Sequence, residues 1–77
     1  MHDEKIKVIL YSGYKANERP QAFILYGEEI RVAEIIDIRI EESFEEKVRR
    51  RVFKVKGSDG YEYKIYCNEK TGEWYLS

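Results

Sequence analysis

A chain of 77 residues, 43% hydrophobic and 38% charged, has room for one small domain. It is too polar for a membrane protein and too apolar for a disordered one. Its 14 basic residues nearly cancel its 15 acidic ones, leaving a formal charge of −1, which excludes a polycationic coat for nucleic acid. A single cysteine, Cys67, and a single histidine, His2, exclude both an internal disulfide framework and a four-ligand Cys/His zinc site.

Taken in chain order, the sequence reads as strands separated by turns. Lys5 to Tyr11 is rich in Ile, Val and Tyr, and Ile6, Val8 and Leu10 alternate onto one face. Ser12 to Pro20, with Gly13, Asn17 and Pro20, reads as a loop. Gln21 to Tyr26 is a second strand with Phe23 and Leu25 on one side, and Gly27-Glu28-Glu29 turns the chain. Glu29 to Ile40 is a long β-branched run whose phase shifts at the doublet Ile35-Ile36, which predicts a bulge or a segment covered on both faces. Such a bend lets one strand serve two sides of a small closed sheet.

Glu41 to Arg51 supports two readings. Ser43 and Glu46 have capping-box spacing, Phe44, Val48 and Val52 recur every fourth residue, and Glu45/Arg49 and Glu46/Arg50 are favourable helical pairs. Against a helix, Arg51 to Lys56 alternates as a strand with Phe53 and Val55 on one face. The expectation is a loop with at most one helical turn near residues 43–49, followed by a strand that begins between Lys47 and Arg51.

Gly57-Ser58-Asp59-Gly60 predicts a tight hairpin with Gly60 left-handed. If Gly57 pairs with Tyr61, Val55 faces Tyr63 and Phe53 faces Ile65, so all four lie on one side. A turn over Asn68 to Gly72 leads into a final strand, Glu73 to Leu76, where Trp74 and Leu76 close the core. The expected fold is mainly β: five or six antiparallel strands in a meander, curled into a small barrel-like sheet. It forms one domain over residues 1–77, ordered from about 5 to 76. The expected core is Ile6, Val8, Leu10, Phe23, Val32, Ile36, Phe53, Val55, Tyr63, Ile65 and Trp74.

Chemistry-bearing patterns are sparse. His2 lies in a terminus expected to fray. Cys67 is in phase with Ile65, which suits a buried small hydrophobe better than a nucleophile. The acid pairs Glu28/Glu29, Glu41/Glu42 and Glu45/Glu46 fall in predicted turns or loops, where solvated charge explains them. A domain this small is not expected to enclose a pocket of about 300 Å³ or more. The five glycines, at 13, 27, 57, 60 and 72, all sit at predicted turns, and none makes a phosphate-binding loop. No enzyme activity, cofactor or metal is expected.

The segment Lys47 to Lys56 holds six basic residues and no acidic one. Arg49, Arg51, Lys54 and Lys56, with Tyr66 on the adjacent strand, are the candidate nucleic-acid-binding residues. Cations that follow phosphates beside rings that stack bases are how small β-barrels hold single strands. The competing explanation is a cross-strand network: if Ile40 faces Val48, then Asp37 meets Arg51 and Glu34 meets Lys54. A third reading is a protein-interaction module, because a meander leaves edge strands unless it closes and Tyr11, Tyr14 and Tyr26 lie near the first two strands. No apolar run approaches the roughly 20 residues that span a bilayer, and no signal-peptide pattern opens the chain. A cytoplasmic domain with no membrane partner is expected. High Glu and Lys with one Gln and two Asn fits growth at high temperature.

Several phrases together carry a family resemblance. They are Arg19-Pro20 with Phe23, Ile30-Arg31-Val32-Ala33-Glu34-Ile35-Ile36-Asp37, Val52-Phe53-Lys54-Val55 with Asp59-Gly60, Tyr63, and Thr71-Gly72-Glu73-Trp74-Tyr75-Leu76. Over roughly residues 18–76 the chain resembles an uncharacterised family of small bacterial β domains, which share a Pro-Phe strand, a Val-Ala-Glu-Val-hydrophobic-Asp strand, an Asp-Gly hairpin and a final Trp. The resemblance implies a structural likeness without an assigned activity, and an occurrence as tails of Y-family DNA-damage polymerases. The chain departs from that pattern in lacking a tryptophan near Ile38 and in its Glu-Arg-rich segment 41–51. The function expected is a non-enzymatic binding or interaction module. The alternatives are a single-stranded nucleic-acid-binding accessory domain linked to DNA repair, and a purely structural or self-associating domain.

Overall fold

The alternating runs form six strands in the computed structural model, which describes residues 4–10, 19–45 and 47–77. They are β1 (Glu4–Leu10), β2 (Pro20–Leu25), β3 (Glu28–Ser43), β4 (Val48–Gly57), β5 (Glu62–Asn68) and β6 (Trp74–Leu76). Each pairs antiparallel with the next, and β6 returns to β1, so the meander closes into a barrel. Closure hides the apolar face that six short strands could not cover as a flat sheet. His2, Tyr11, Tyr14, Glu46 and most of the predicted Ser12–Pro20 loop lie outside the described residues.

Phe23, Phe53, Val55 and Ile65 are the largest fully buried side chains, joined by Ile6, Ile30 and Trp74. The Phe23 ring meets Tyr63 edge-on at 5.1 Å between centroids, and Phe53 lies 5.5 Å from Trp74. Val8, Leu10, Val32 and Tyr63 pack around this cluster half-buried. Ile36 does not: it is 43% exposed, and Ile35 occupies the inward position. The reason lies in β3, whose pairing with β4 shifts between Val32 and Glu34 and again between Ile35 and Asp37. Two extra residues, Ala33 and Ile36, bend the strand, and each shift changes which residues face inward.

These bulges let β3 serve two sheets. Glu28 to Arg31 pair with β2, whereas Val32 to Ser43 pair with β4. The shifts, together with a longer hairpin loop, also move the register: Ile40 faces Arg51 rather than Val48, Asp37 faces Lys54, and Glu34 faces Lys56. Among the described residues no helix forms near 43–49. Instead β3 runs to Ser43, Phe44, Glu45 and Lys47 lie in a turn with Lys47 at φ 54°, and β4 begins at Val48. The two arginines that would pair with Glu45 and Glu46 in a helix find other glutamates in the ladder, where Glu42 opposes Arg49 and Glu41 opposes Arg50.

The turn after β2 is Tyr26-Gly27, both at positive φ, and Glu28 already belongs to β3. Two left-handed residues make the tight hairpin whose twist matches its strands. The β4–β5 hairpin has the expected register, with Val55 opposite Tyr63 and Phe53 opposite Ile65. Gly57 N–H donates to Tyr61 O at 2.8 Å, and Gly60 is left-handed at φ 89°. Asp59 accepts hydrogen bonds from the Tyr63 hydroxyl at 2.5 Å and the Tyr61 amide at 3.1 Å. The hydroxyl bond holds the Asp59 carboxyl below its ordinary range and pushes the Tyr63 phenol up to about 12. In the β5–β6 turn, Asn68 Oδ1 accepts from Lys70 N–H at 2.9 Å, the local side-chain bond that favours Asn at a turn. Lys5 and Glu73 pair across the β1–β6 seam, an exposed bond that raises the lysine pKa and lowers that of the carboxyl.

Candidate interaction surface

Strand alternation splits the basic run between two faces. Arg49 and Arg51 share the inward phase of β4, and Lys54 and Lys56 share the outward phase with Arg50. Both arginines converge on Glu69 in the β5–β6 turn: Arg49 Nε lies 3.3 Å from Oε2 and Arg51 donates to Oε1 at 3.2 Å. Arg49 also lies 3.8 Å from Glu42. On the outer face, Lys54 lies 3.6 Å from Glu62, and Lys56 stands in register between Glu34 and Glu62. Tyr66 is 8% exposed, stacked on Tyr75 at 5.3 Å and covered by the Arg50 guanidinium at 4.9 Å. Of the five candidates, the structure therefore brings together Arg49 with Arg51, and Lys54 with Lys56. It places Tyr66 under Arg50 rather than in the open.

Glu69 and Arg50 are participants that sequence reasoning passed over. The signal for Glu69 was present, because extending the Gly57–Tyr61 register along the hairpin carries position 69 to the side of Arg49. The structure confirms the approach with a Glu69 N–H to Arg49 O bond of 3.0 Å. Two acid pairs also move: Glu28/Glu29 and Glu41/Glu42 lie in β3, not in turns. Neighbours within a strand point to opposite faces, so neither pair can act jointly on one bond. Cys67 is half-buried against the core, opposite Trp74 and Arg51. Among the described residues, no group of three or more His, Cys, Asp or Glu is placed to hold a metal ion, and no helix is long and apolar enough to cross a membrane.

The feature that local reading did not reveal is the far edge of β3. Pairing with β2 stops at Arg31, and beyond it no described strand pairs with that edge, although β3 continues for twelve residues to Ser43. Ile36, Ile38 and Ile40 are 43%, 44% and 49% exposed along it, and Phe44 at the hairpin tip is 90% exposed. Asp37 and Arg39 alternate with the isoleucines and bond to each other, Nε to Oδ2, at 2.7 Å. Beside this edge, the outer face carries an open groove of about 650 Å³ bordered by Asp37, Arg39, Lys54, Glu62 and Lys64. The groove is an open trough across the sheet and not an enclosed pocket.

No family model matches the chain, and none of the curated proteins or solved structures matches it significantly.

Proposed function

We propose that this chain is a non-enzymatic protein-interaction module whose contact surface is the second half of β3. The observation that carries this reading is the conjunction of an edge without a described partner strand and three exposed isoleucines on it. A natural edge is ordinarily blunted by Pro, by charged side chains, by bulges or by its shortness. Residues 36–40 carry Asp37 and Arg39 and begin at the Ile36 bulge, yet they hold no Pro, expose three isoleucines and lie in the longest strand of the barrel. An extended segment added there would gain a ladder of main-chain hydrogen bonds and cover apolar side chains at every second position.

The nucleic-acid reading draws less support from the geometry. Arg49 and Arg51 are engaged by Glu69, Lys54 by Glu62, and the Tyr66 ring is covered on a face that a base would need. The polymerase-tail resemblance is compatible with either reading, since a tail can dock a protein as readily as a strand of DNA.

A photoreactive benzoylphenylalanine placed at Ile40 in the full chain tests the proposal, with Lys7 on the exposed outer face of β1 as the control position. Irradiation in cells is expected to give a discrete, nuclease-resistant protein adduct from position 40 and none from position 7. Equal labelling at both positions, or a nuclease-sensitive adduct, would overturn it.

A further inference from the structure

Resting on that reading, we infer that the strand received by β3 is β3 of a second copy of this chain, paired antiparallel about a two-fold axis through Ile38. The argument is the self-complementarity of residues 36–40, Ile-Asp-Ile-Arg-Ile. With Ile38 facing Ile38 of the partner subunit, Asp37 faces Arg39 of the partner subunit, and Arg39 faces the partner's Asp37. Ile36 and Ile40 then face each other at both ends. Every opposed pair in this stretch is apolar with apolar or acid with base.

Neighbouring registers fail this test. Centring the axis on Asp37 sets two aspartates against each other, and centring it on Arg39 sets two arginines together and Asp37 against Glu41 of the partner subunit. An axis between residues places an isoleucine opposite a charged residue, which sets a side chain from one face against one from the other. Discrimination against wrong registers by like charge is as informative as the attraction in the right one. Beyond the central stretch, Ile35 would face Glu41 of the partner subunit and Glu34 would face Glu42 of the partner subunit. Close pairing is therefore limited to residues 36–40.

The intrachain Asp37–Arg39 bond already holds both side chains on the outer phase of the edge. Pairing would turn two such bonds into a four-charge cluster on one face, with the isoleucines of both chains closing over the two-fold on the other. The contact is isologous, so it closes at two copies and leaves no free β3 edge to propagate. A closed pair would also keep an edge this apolar from open-ended aggregation.

Sedimentation equilibrium of the purified full chain provides the test, with circular dichroism confirming that each variant is folded. The wild type is expected at twice its 9.3 kDa mass. Asp37→Arg alone and Arg39→Asp alone each set like charges across the axis, and each is expected to weaken the dimer by about tenfold or more. In a mixture of the two variants, a chain with arginine at both positions meets a chain with aspartate at both. Both opposed pairs then regain opposite charge, so the mixture is expected to recover the dimer affinity that each variant alone has lost. That recovery is a gain which loss of folding cannot mimic. Because the intrachain pair stays broken in both variants, it also isolates the contact between chains. A wild type that remains monomeric across a concentration range of about 100-fold would overturn this inference. A dimer indifferent to both charge variants would overturn it as well. In either case, a distinct protein adduct from position 40 would leave the interaction-module reading standing, and its absence would remove both.

Discussion

Replacing Phe53 by Ala is expected to cost about 3–5 kcal/mol of folding stability. The ring is 1% exposed, lies 5.5 Å from Trp74, and is flanked in the ladder by Ile38 on β3 and Ile65 on β5. Truncation forfeits its transfer free energy and leaves a void bounded by strands that the closed hydrogen-bond ring prevents from collapsing inward. Domains of this size hold only about 5–15 kcal/mol in total, so the variant would sit close to its unfolding threshold at moderate temperature. Urea unfolding followed by tryptophan fluorescence reads the effect, since Trp74 reports from the same cluster. An unchanged midpoint would mean that the inward face of β4 has been assigned to the wrong side.

Gly57→Ala is expected to cost about 1–3 kcal/mol through overpacking. A Cβ at this position would stand 2.6 Å from Asp59 Oδ1, 2.8 Å from Ile30 Cγ2 and 3.1 Å from Tyr63 Cε2. The backbone is an ordinary strand, so the penalty is one of space and not of left-handed conformation. The three neighbours belong to the hairpin turn, β3 and β5, so relief at one disturbs the others. In particular, moving Asp59 would strain its bond to the Tyr63 hydroxyl. A fall in melting temperature beyond that of Gly60→Ala, where the space around Cβ is open but φ is 89°, would separate crowding from backbone strain. Equal or smaller loss at Gly57 would contradict the close packing described.

What could be read in advance followed from local chemistry. The β4–β5 hairpin was legible because Gly57 and Gly60 bracket a turn and the alternation on both sides converges on one register. Barrel closure was legible in kind, since so few strands must cover their own apolar face. The doublet Ile35-Ile36 signalled a bend, yet which isoleucine turned inward depended on a second bulge at Ala33, and nothing in the adjacent residues announces it. Residues 41–51 were ambiguous for a physical reason: Arg49 and Arg50 have a glutamate four residues back, which suits a helix, and the same arginines oppose Glu42 and Glu41 across the β3–β4 ladder. The basic run looked like a single patch until strand alternation divided it. The edge of β3 beyond Arg31 was the least visible feature, because its lack of a described partner strand depends on where pairing with β2 stops and not on any property of β3 itself.

Amide hydrogen exchange along β3, measured across protein concentration, tests most directly whether that edge is a docking surface. In dilute solution the amides of residues 33–41 that point away from β4 are expected to exchange quickly, while those bonded to β4 stay protected. Raising the concentration should slow the outward-pointing set selectively as a strand is added to the edge. Outward amides that are strongly protected at every concentration would contradict the account, because the edge would then already be covered within a single chain.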